Sequence, residues 1–237
     1  MPDIYGTNAD GFVRKYGFGA TWASQRDATS GTADSNDPYT SYAVRGVIVS
    51  IFGGAILIPD FSRSFMSFDT SGISVTPDSA SLKLYGHTAL GAGTDRDFFI
   101  LKSTHNTSTL QNADFVSITG WSTGSSDGSG AGDNESAVTK YSAMWDISSS
   151  GWSTSGYNTV PLNATGLAAM ASLDTFKICI IDVSDLRDLT ETVSGQKGTG
   201  FKWTESLGDS YDPYLTYVEG EEEAAVVYNA PFFGANF

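Results

Sequence analysis

Carboxylates in turns are the side chains of this sequence that could bind a metal ion. Asp69 lies in a turn, where a carboxylate and backbone carbonyls together offer the oxygen ligands that Ca²⁺ prefers. Asp127 and Asp133 match positions 1 and 7 of a Ca²⁺-binding loop, but Ala131 and Val138 stand at positions 5 and 12. The sequence therefore predicts no cofactor, with calcium at Asp69, Asp127 or Asp133 as the one metal to test.

Catalytic groups are sparse. Paired carboxylates can hydrolyse glycosides, and three aspartates follow a predicted strand closely: Asp182, Asp185 and Asp188. Arg187 stands between the last two, so we interpret the segment as a solvated edge with local salt bridges. His87 and His105 stand apart in polar strand ends or loops. These patterns predict a protein without enzymatic activity and without catalytic residues.

Aromatic side chains suggest two binding sites. Trp121 and Trp152 lie in Ser/Gly-rich segments and could stack on the apolar faces of sugars. An acidic cluster near residue 220 precedes an apolar terminal run, which could fold back on its own domain or dock as an arm on a neighbouring subunit. The predicted arm residues are Val226, Val227, Tyr228, Pro231, Phe232, Phe233 and Phe237.

Composition restricts the partners. The chain has 237 residues and a formal net charge of −14, with a pI near 4.3. Nucleic acid and anionic membranes are therefore unlikely partners, because binding them requires basic residues. The apolar stretch 44–59 is too short to span a bilayer, and the N-terminus lacks the pattern of a secretory signal. The 14 Phe, 11 Tyr and 5 Trp provide material for a core.

The elements that must position these residues are mainly strands. Alternating apolar residues predict strands over 65–69, 80–86, 97–102, 175–183 and 214–218, separated by Gly/Asp/Ser turns. One helix is expected over 162–173, capped by Asn163 or Thr165. We therefore predict an all-β, antiparallel, jelly-roll-like β-sandwich with one short helix. It would form a single domain over 1–218 with a loop insertion at about 122–136, followed by the arm at 219–237.

Several of these segments resemble the DNRLRE-type β-sandwich modules. The resemblance is carried by RSFMSFDTSGI at 63–73 and ASLKLYG at 80–86, with weaker matches in DGFV at 10–13 and DPYLTY at 212–217. Such modules occur in secreted bacterial surface proteins, beside polysaccharide-active domains and in phage virions. The resemblance implies a jelly-roll-like sandwich with a binding or architectural role. The chain departs from the secreted versions because it shows no signal sequence and no accompanying domain, which favours a virion protein.

The combined expectation is a virion structural protein of a tailed bacteriophage, assembled in the host cytoplasm. We expect a capsid decoration or cement subunit that stabilises the head, with other virion proteins as partners, above all the major capsid protein. A homo-oligomer is expected, and a trimer would fit a lattice three-fold axis. The alternative is a carbohydrate-binding adhesin or tail-fibre head module that recognises host surface glycans through Trp121 and Trp152.

Overall fold

The computed structural model describes residues 1–7, 10–18, 20–35, 47–51, 54–90, 97–124, 133–189, 198–202 and 211–221. Asp127, most of the predicted loop insertion and the predicted arm residues from Val226 to Phe237 lie outside these ranges. The statements on structure that follow concern the described residues.

Strands dominate the described chain. Twelve strands are present: β1 (Asp3–Tyr5), β2 (Gly11–Tyr16), β3 (Thr32–Asp34), β4 (Val47–Ile51), β5 (Gly54–Ile58), β6 (Asp60–Asp69), β7 (Ser79–Leu90), β8 (Phe98–Lys102), β9 (Tyr157–Pro161), β10 (Thr175–Asp182), β11 (Gly198–Phe201) and β12 (Tyr214–Val218). The helices are short: α1 (Trp22–Arg26), α2 (Ile147–Ser150), α3 (Ala164–Ser172), α4 (Val183–Leu186) and one 3-10 helix (Asn112–Val116).

The strands form two open antiparallel sheets, which confirms the predicted all-β sandwich. The first sheet has the order β1-β12-β7-β11, and β9 also pairs with β7. The second sheet has the order β3-β2-β6-β10-β8, while β4 and β5 pair separately as a two-stranded unit. The first and last described strands, β1 and β12, pair with each other in the first sheet, so the two ends of the described chain lie side by side.

All five strands predicted from alternation are present, and their inward faces meet between the sheets. Leu82 and Leu84 of β7 are buried, as are Phe176, Ile178 and Ile180 of β10. These side chains belong to one cluster that takes members from both sheets, which we call the inter-sheet core. A period-two pattern with one apolar face produces this arrangement, because successive side chains of a strand point to opposite sides.

A second cluster, the outer core, covers the opposite face of the second sheet and was not predicted. Cys179 and Ile181 of β10 and Phe65 of β6 point into it and are buried. Trp22 of α1 and Phe115 of the 3-10 helix cover these side chains from outside. The central strands β6 and β10 are thus buried on both faces, which makes the second sheet the middle layer of the molecule.

The predicted helix is confirmed as α3, and Asn163 is its N-cap through a side-chain hydrogen bond from the Gly166 N–H. The other three α-helices have only four or five residues. Such helices are too short to show an apolar period in the sequence. The expectation of one helix therefore missed segments that matter for covering the outer core.

Candidate functional site

The outer face of the first sheet carries a cluster of partly exposed tyrosines. Five rings contact one another in the order Tyr5, Tyr214, Tyr157, Tyr85 and Tyr211. We call this cluster, with the flanking Lys83 and Lys202, the tyrosine surface.

Strand register places these rings together. Tyr5 lies opposite Tyr214 across β1 and β12, and Tyr85 lies opposite Tyr157 across β7 and β9. Each occupies an outward position, because the next residue along its strand is turned towards the inter-sheet core or is buried. Cross-strand aromatic neighbours are within contact distance in antiparallel sheets.

The rings pack mainly at steep angles. Neighbouring ring centroids are 5.4 Å apart for Tyr5–Tyr214, 5.1 Å for Tyr157–Tyr214 and 5.3 Å for Tyr85–Tyr157. Tyr85 and Tyr211 are closest, at 4.5 Å and 67°. Edge-to-face contacts of this kind are favourable and hold each ring in one orientation. Tyr5 is the most open member, with 49% of its surface exposed.

Polar contacts fix the cluster further. The Tyr157 hydroxyl donates to the Asp212 carbonyl at 3.2 Å, and the Tyr85 hydroxyl donates to the Ser155 carbonyl at 2.8 Å. Burial raises the pKa of Tyr157 to about 12 and also raises the pKa of Tyr214. Both phenols are therefore neutral at physiological pH and can act as hydrogen-bond donors.

Two ammonium groups flank the rings. The Lys202 Nζ lies 3.6 Å from the centroid of Tyr211 and 5.0 Å from that of Tyr85, as a cation–π contact requires. The Lys83 Nζ donates to the Thr159 hydroxyl at 2.7 Å. The site thus combines aromatic rings with nearby donors, an arrangement suited to binding rather than to bond cleavage.

The aspartates after β10 form a buried network, so the expectation of a solvated edge at these positions is wrong. Asp182 caps α4 by accepting from the Ser184 and Asp185 backbone N–H groups. Asp185 is 4% exposed and Asp188 is fully buried. The Trp22 indole donates to Asp188 at 2.9 Å. The carboxylates of Asp185 and Asp188 face buried arginine side chains, where water does not compete for them.

Arg63 holds that network together. Its Nε and Nη2 bind the two carboxylate oxygens of Asp185 at 2.7 and 2.8 Å, and its Nη1 donates to the Phe115 carbonyl at 2.7 Å. The guanidinium lies 3.9 Å from the Phe115 ring centroid and 4.0 Å from that of Trp121. Arg26 donates to the Asp185 carbonyl at 2.7 Å. Together these contacts join β6, α1, α4 and the 3-10 helix, which makes the network structural.

The two tryptophans predicted to stack on glycans pack against the two cores of the molecule. Trp121 lies over the guanidinium groups of Arg63 and Arg26 and packs against the outer core. Trp152 contacts Phe98 edge-on, with centroids 6.0 Å apart, and packs against the inter-sheet core. Their indole N–H groups are buried. Sugar stacking by these rings stays a prediction, and the structure does not bring the two together in one site.

The calcium candidates are dispersed. Asp69 is exposed and accepts from the Ser71 N–H and hydroxyl, which holds the pKa of the carboxyl below its usual range. It borders a cleft of about 300 Å³ with hydroxyl groups of Thr7 and Ser67. Asp133 is exposed and accepts from the Glu135 N–H. In the described ranges, no three His, Cys, Asp or Glu side chains come together as a metal site.

One serine–histidine pair lies among the described residues, but the serine hydroxyl proton is donated to a backbone carbonyl. His105 lies in the loop that follows β8, as expected, but it is fully buried, and its Nδ1 lies 2.8 Å from the Ser103 Oγ. Ser103 donates its own hydroxyl proton to the Ser117 carbonyl at 2.7 Å. The ring therefore donates from Nδ1 and cannot accept the serine proton there. This geometry serves packing and not nucleophilic attack.

The comparisons with known proteins add no identity. No protein-family model matches the chain, and no curated protein matches its sequence. Among the described helices, none combines the length and the apolar character needed to cross a membrane, the longest being α3 with nine residues.

The tyrosine surface is the feature that sequence reasoning missed. Its signal was present, because Lys83 and Tyr85 alternate with Leu82 and Leu84 on β7. Alternation identifies the outward face, but strand order decides which outward faces become neighbours. Tyr5 and Tyr214 are more than two hundred residues apart and meet only because the first and last strands pair.

Proposed function

We propose that this protein is a non-enzymatic structural protein of a tailed-bacteriophage virion, a decoration or cement subunit on the capsid. The observation that supports a structural role is the buried bracing of the sandwich by Arg63, which bridges β6, α4 and the 3-10 helix. A subunit that stabilises a capsid must hold its shape under load. A middle sheet with a packed core on each face meets that need.

The segment that carries the family resemblance has structural roles throughout. Arg63 pairs with Asp185, Asp69 closes the turn after β6, and Leu82 and Leu84 of β7 enter the inter-sheet core. These roles support a resemblance at the level of the fold. They agree with an architectural module and require no reaction at these residues.

The proposed mechanism is attachment of a rigid block to other virion proteins, with the major capsid protein as the expected partner. The sandwich keeps its shape, and the C-terminal arm at 219–237 buries its aromatic residues in the lattice. Assembly would take place in the host cytoplasm, as a homo-oligomer, with a trimer matching a lattice three-fold axis. The proposal includes no nucleic acid, membrane or cofactor.

Immunogold labelling of purified particles, viewed by negative-stain electron microscopy, tests the location. We expect gold over the heads of particles and none on the tails. Labelling of tails, or no copurification of the protein with particles, would contradict a capsid decoration role. A chain that lacks residues 220–237 should fold yet fail to join particles. Incorporation at the wild-type level would remove the arm from the mechanism.

A further inference from the structure

The tyrosine surface is small and has a definite shape. Tyr5 is 49% exposed, and the other four tyrosines are exposed to smaller extents. At about 200 Å² per tyrosine, the exposed tyrosine area is on the order of 300 Å². A stable protein interface buries about 800 Å² on each partner. The exposed tyrosine area alone is well below that figure, and it suits a narrow ligand.

The chemistry of the surface matches that of a sugar chain. Pyranose rings with equatorial hydroxyls present C–H groups on both faces and hydroxyls around the edge. The Tyr5 ring is 49% exposed and can stack on such a face. Tyr214 and Lys83 follow Tyr5 in register across β12 and β7, and Lys202 lies at the other end of the cluster beside Tyr211. Their phenol and ammonium groups can bind sugar hydroxyls along this row.

The rings are also preorganised. Tyr157 reaches over β7 to the Asp212 carbonyl, and Tyr85 is held between Tyr157 and Tyr211. A ligand that binds here does not have to order these side chains, so the entropic cost of binding is low. A surface meant only for solvent contact would not require five aromatic rings fixed across four strands of the first sheet and the segment before β12.

The charge of the protein favours a neutral sugar over an anionic one. The chain carries a net charge of −14, which repels polyanions at low ionic strength. Locally, Lys83 is engaged by Thr159 and Lys202 by two rings, while Asp3 lies exposed at the edge beside Tyr5. The surface therefore offers hydrogen-bond donors without a strong positive field, which favours a neutral ligand.

We propose that the tyrosine surface binds a neutral oligosaccharide of gluco-configured hexopyranose units, with Tyr5 as the stacking platform. This activity is independent of the virion location, because a glycan-binding sandwich would work on a particle or apart from one. Failure of the particle labelling would therefore leave this proposal standing.

Isothermal titration of the full chain with cellohexaose tests the proposal, with the hexamer of galacturonic acid as the anionic counterpart. We expect cellohexaose to bind with little dependence on NaCl and the anionic hexamer to bind more weakly. Tyr5→Ala should lower the affinity for cellohexaose about fivefold to tenfold, the usual effect of one aromatic contact. Tyr5→Phe keeps the ring and should stay within about twofold of the wild type.

Tyr16→Ala is the matched control, because Tyr16 is 58% exposed and lies on β2 of the other sheet. It should leave binding unchanged, and circular dichroism should show that all three variants are folded. Absence of cellohexaose binding by the wild type overturns the proposal, as does an equal loss in Tyr16→Ala. Stronger, salt-sensitive binding of the anionic hexamer would assign the surface to polyanions. Loss of self-association in Tyr5→Ala, without any sugar binding, would assign it to a protein partner.

Discussion

At the scale of single residues, the Arg63–Asp185 pair is the most consequential contact. Both side chains are buried, and the pair is bidentate. Arg63→Met preserves most of the volume but leaves the Asp185 carboxylate buried without that partner. We expect the free energy of unfolding to fall by about 3 to 5 kcal/mol, measured by urea denaturation.

The matched variant is Arg63→Met combined with Asp185→Asn, which also removes the buried negative charge. It should recover part of the loss, because the cost arises mainly from the unpaired charge. If Arg63→Met alone lies within about 1 kcal/mol of the wild type, the pair does not brace the outer core.

His105 is the second residue with a clear consequence. Burial lowers its pKa from the ordinary 6.5 to about 4, opposed by nearby Asp114 and assisted by Lys177. Since the folded protein resists protonation of this ring more than the unfolded chain does, its contribution to stability is complete above pH 6.5. It is lost as the pH falls towards 4, by about 3 kcal/mol in total.

His105→Gln removes the titrating imidazole. The difference in unfolding free energy between the wild type and this variant should therefore change by about 3 kcal/mol between pH 7 and pH 4. His87→Gln provides the control, because His87 is exposed and outside the outer core. A pH-independent difference between the wild type and His105→Gln would contradict the assignment. The measurement is urea denaturation at a series of pH values.

At the scale of elements, α3 shows how a local signal becomes a tertiary contact. The Asn163 side chain accepts from the Gly166 N–H at 3.0 Å and donates to the Lys140 carbonyl at 3.0 Å. Asn163→Ala should therefore cost about 1 to 2 kcal/mol of unfolding free energy. Asn163→Asp keeps the cap and loses only the donor, so thermal unfolding should place it between Asn163→Ala and the wild type. If Asn163→Asp unfolded at a lower temperature than Asn163→Ala, the contact with the Lys140 carbonyl would outweigh the cap.

The elements also show where sequence reasoning succeeds and where it stops. Strands β7 and β10 were predicted because apolar side chains alternate along them, and α3 because it begins with a capping residue. The outer core was not predicted, since Cys179 and Arg63 resemble solvent-facing members of an alternating strand. Their burial depends on α1 and the 3-10 helix, which pack onto them from distant parts of the chain. Local periodicity does not encode that coverage.

At the scale of the whole molecule, the same limit explains the candidate site. Tyr85 was visible as an outward residue of a predicted strand, but the cluster depends on which strands are neighbours. The tryptophans drew attention because they are rare and lie in polar segments, although their rings are engaged by Arg63 and by Phe98. Residue type and local context therefore indicated which side chains could bind a ligand, whereas topology determines which of them come together.

Net charge is the property of the whole molecule that leads to the last prediction. The charge of −14 destabilises the compact state by self-repulsion, and this repulsion is screened as the Debye length falls from about 30 Å at 0.01 M salt to about 3 Å at 1 M. Partly exposed ion pairs such as Arg187–Glu135 are weakened by the same salt but contribute little. We therefore expect Tm to rise by about 2 to 6 °C over this range of NaCl.

Two variants separate self-repulsion from other effects of salt in this measurement by scanning calorimetry. Glu219→Gln with Glu221→Gln removes two exposed negative charges and should reduce the rise in Tm. Lys15→Gln increases the negative net charge by one and should enlarge it. Because general salt effects on hydrophobic burial act equally on all three proteins, only repulsion predicts this order. A Tm that falls with NaCl would mean that specific ion pairs, and not the overall charge, control the stability of the fold.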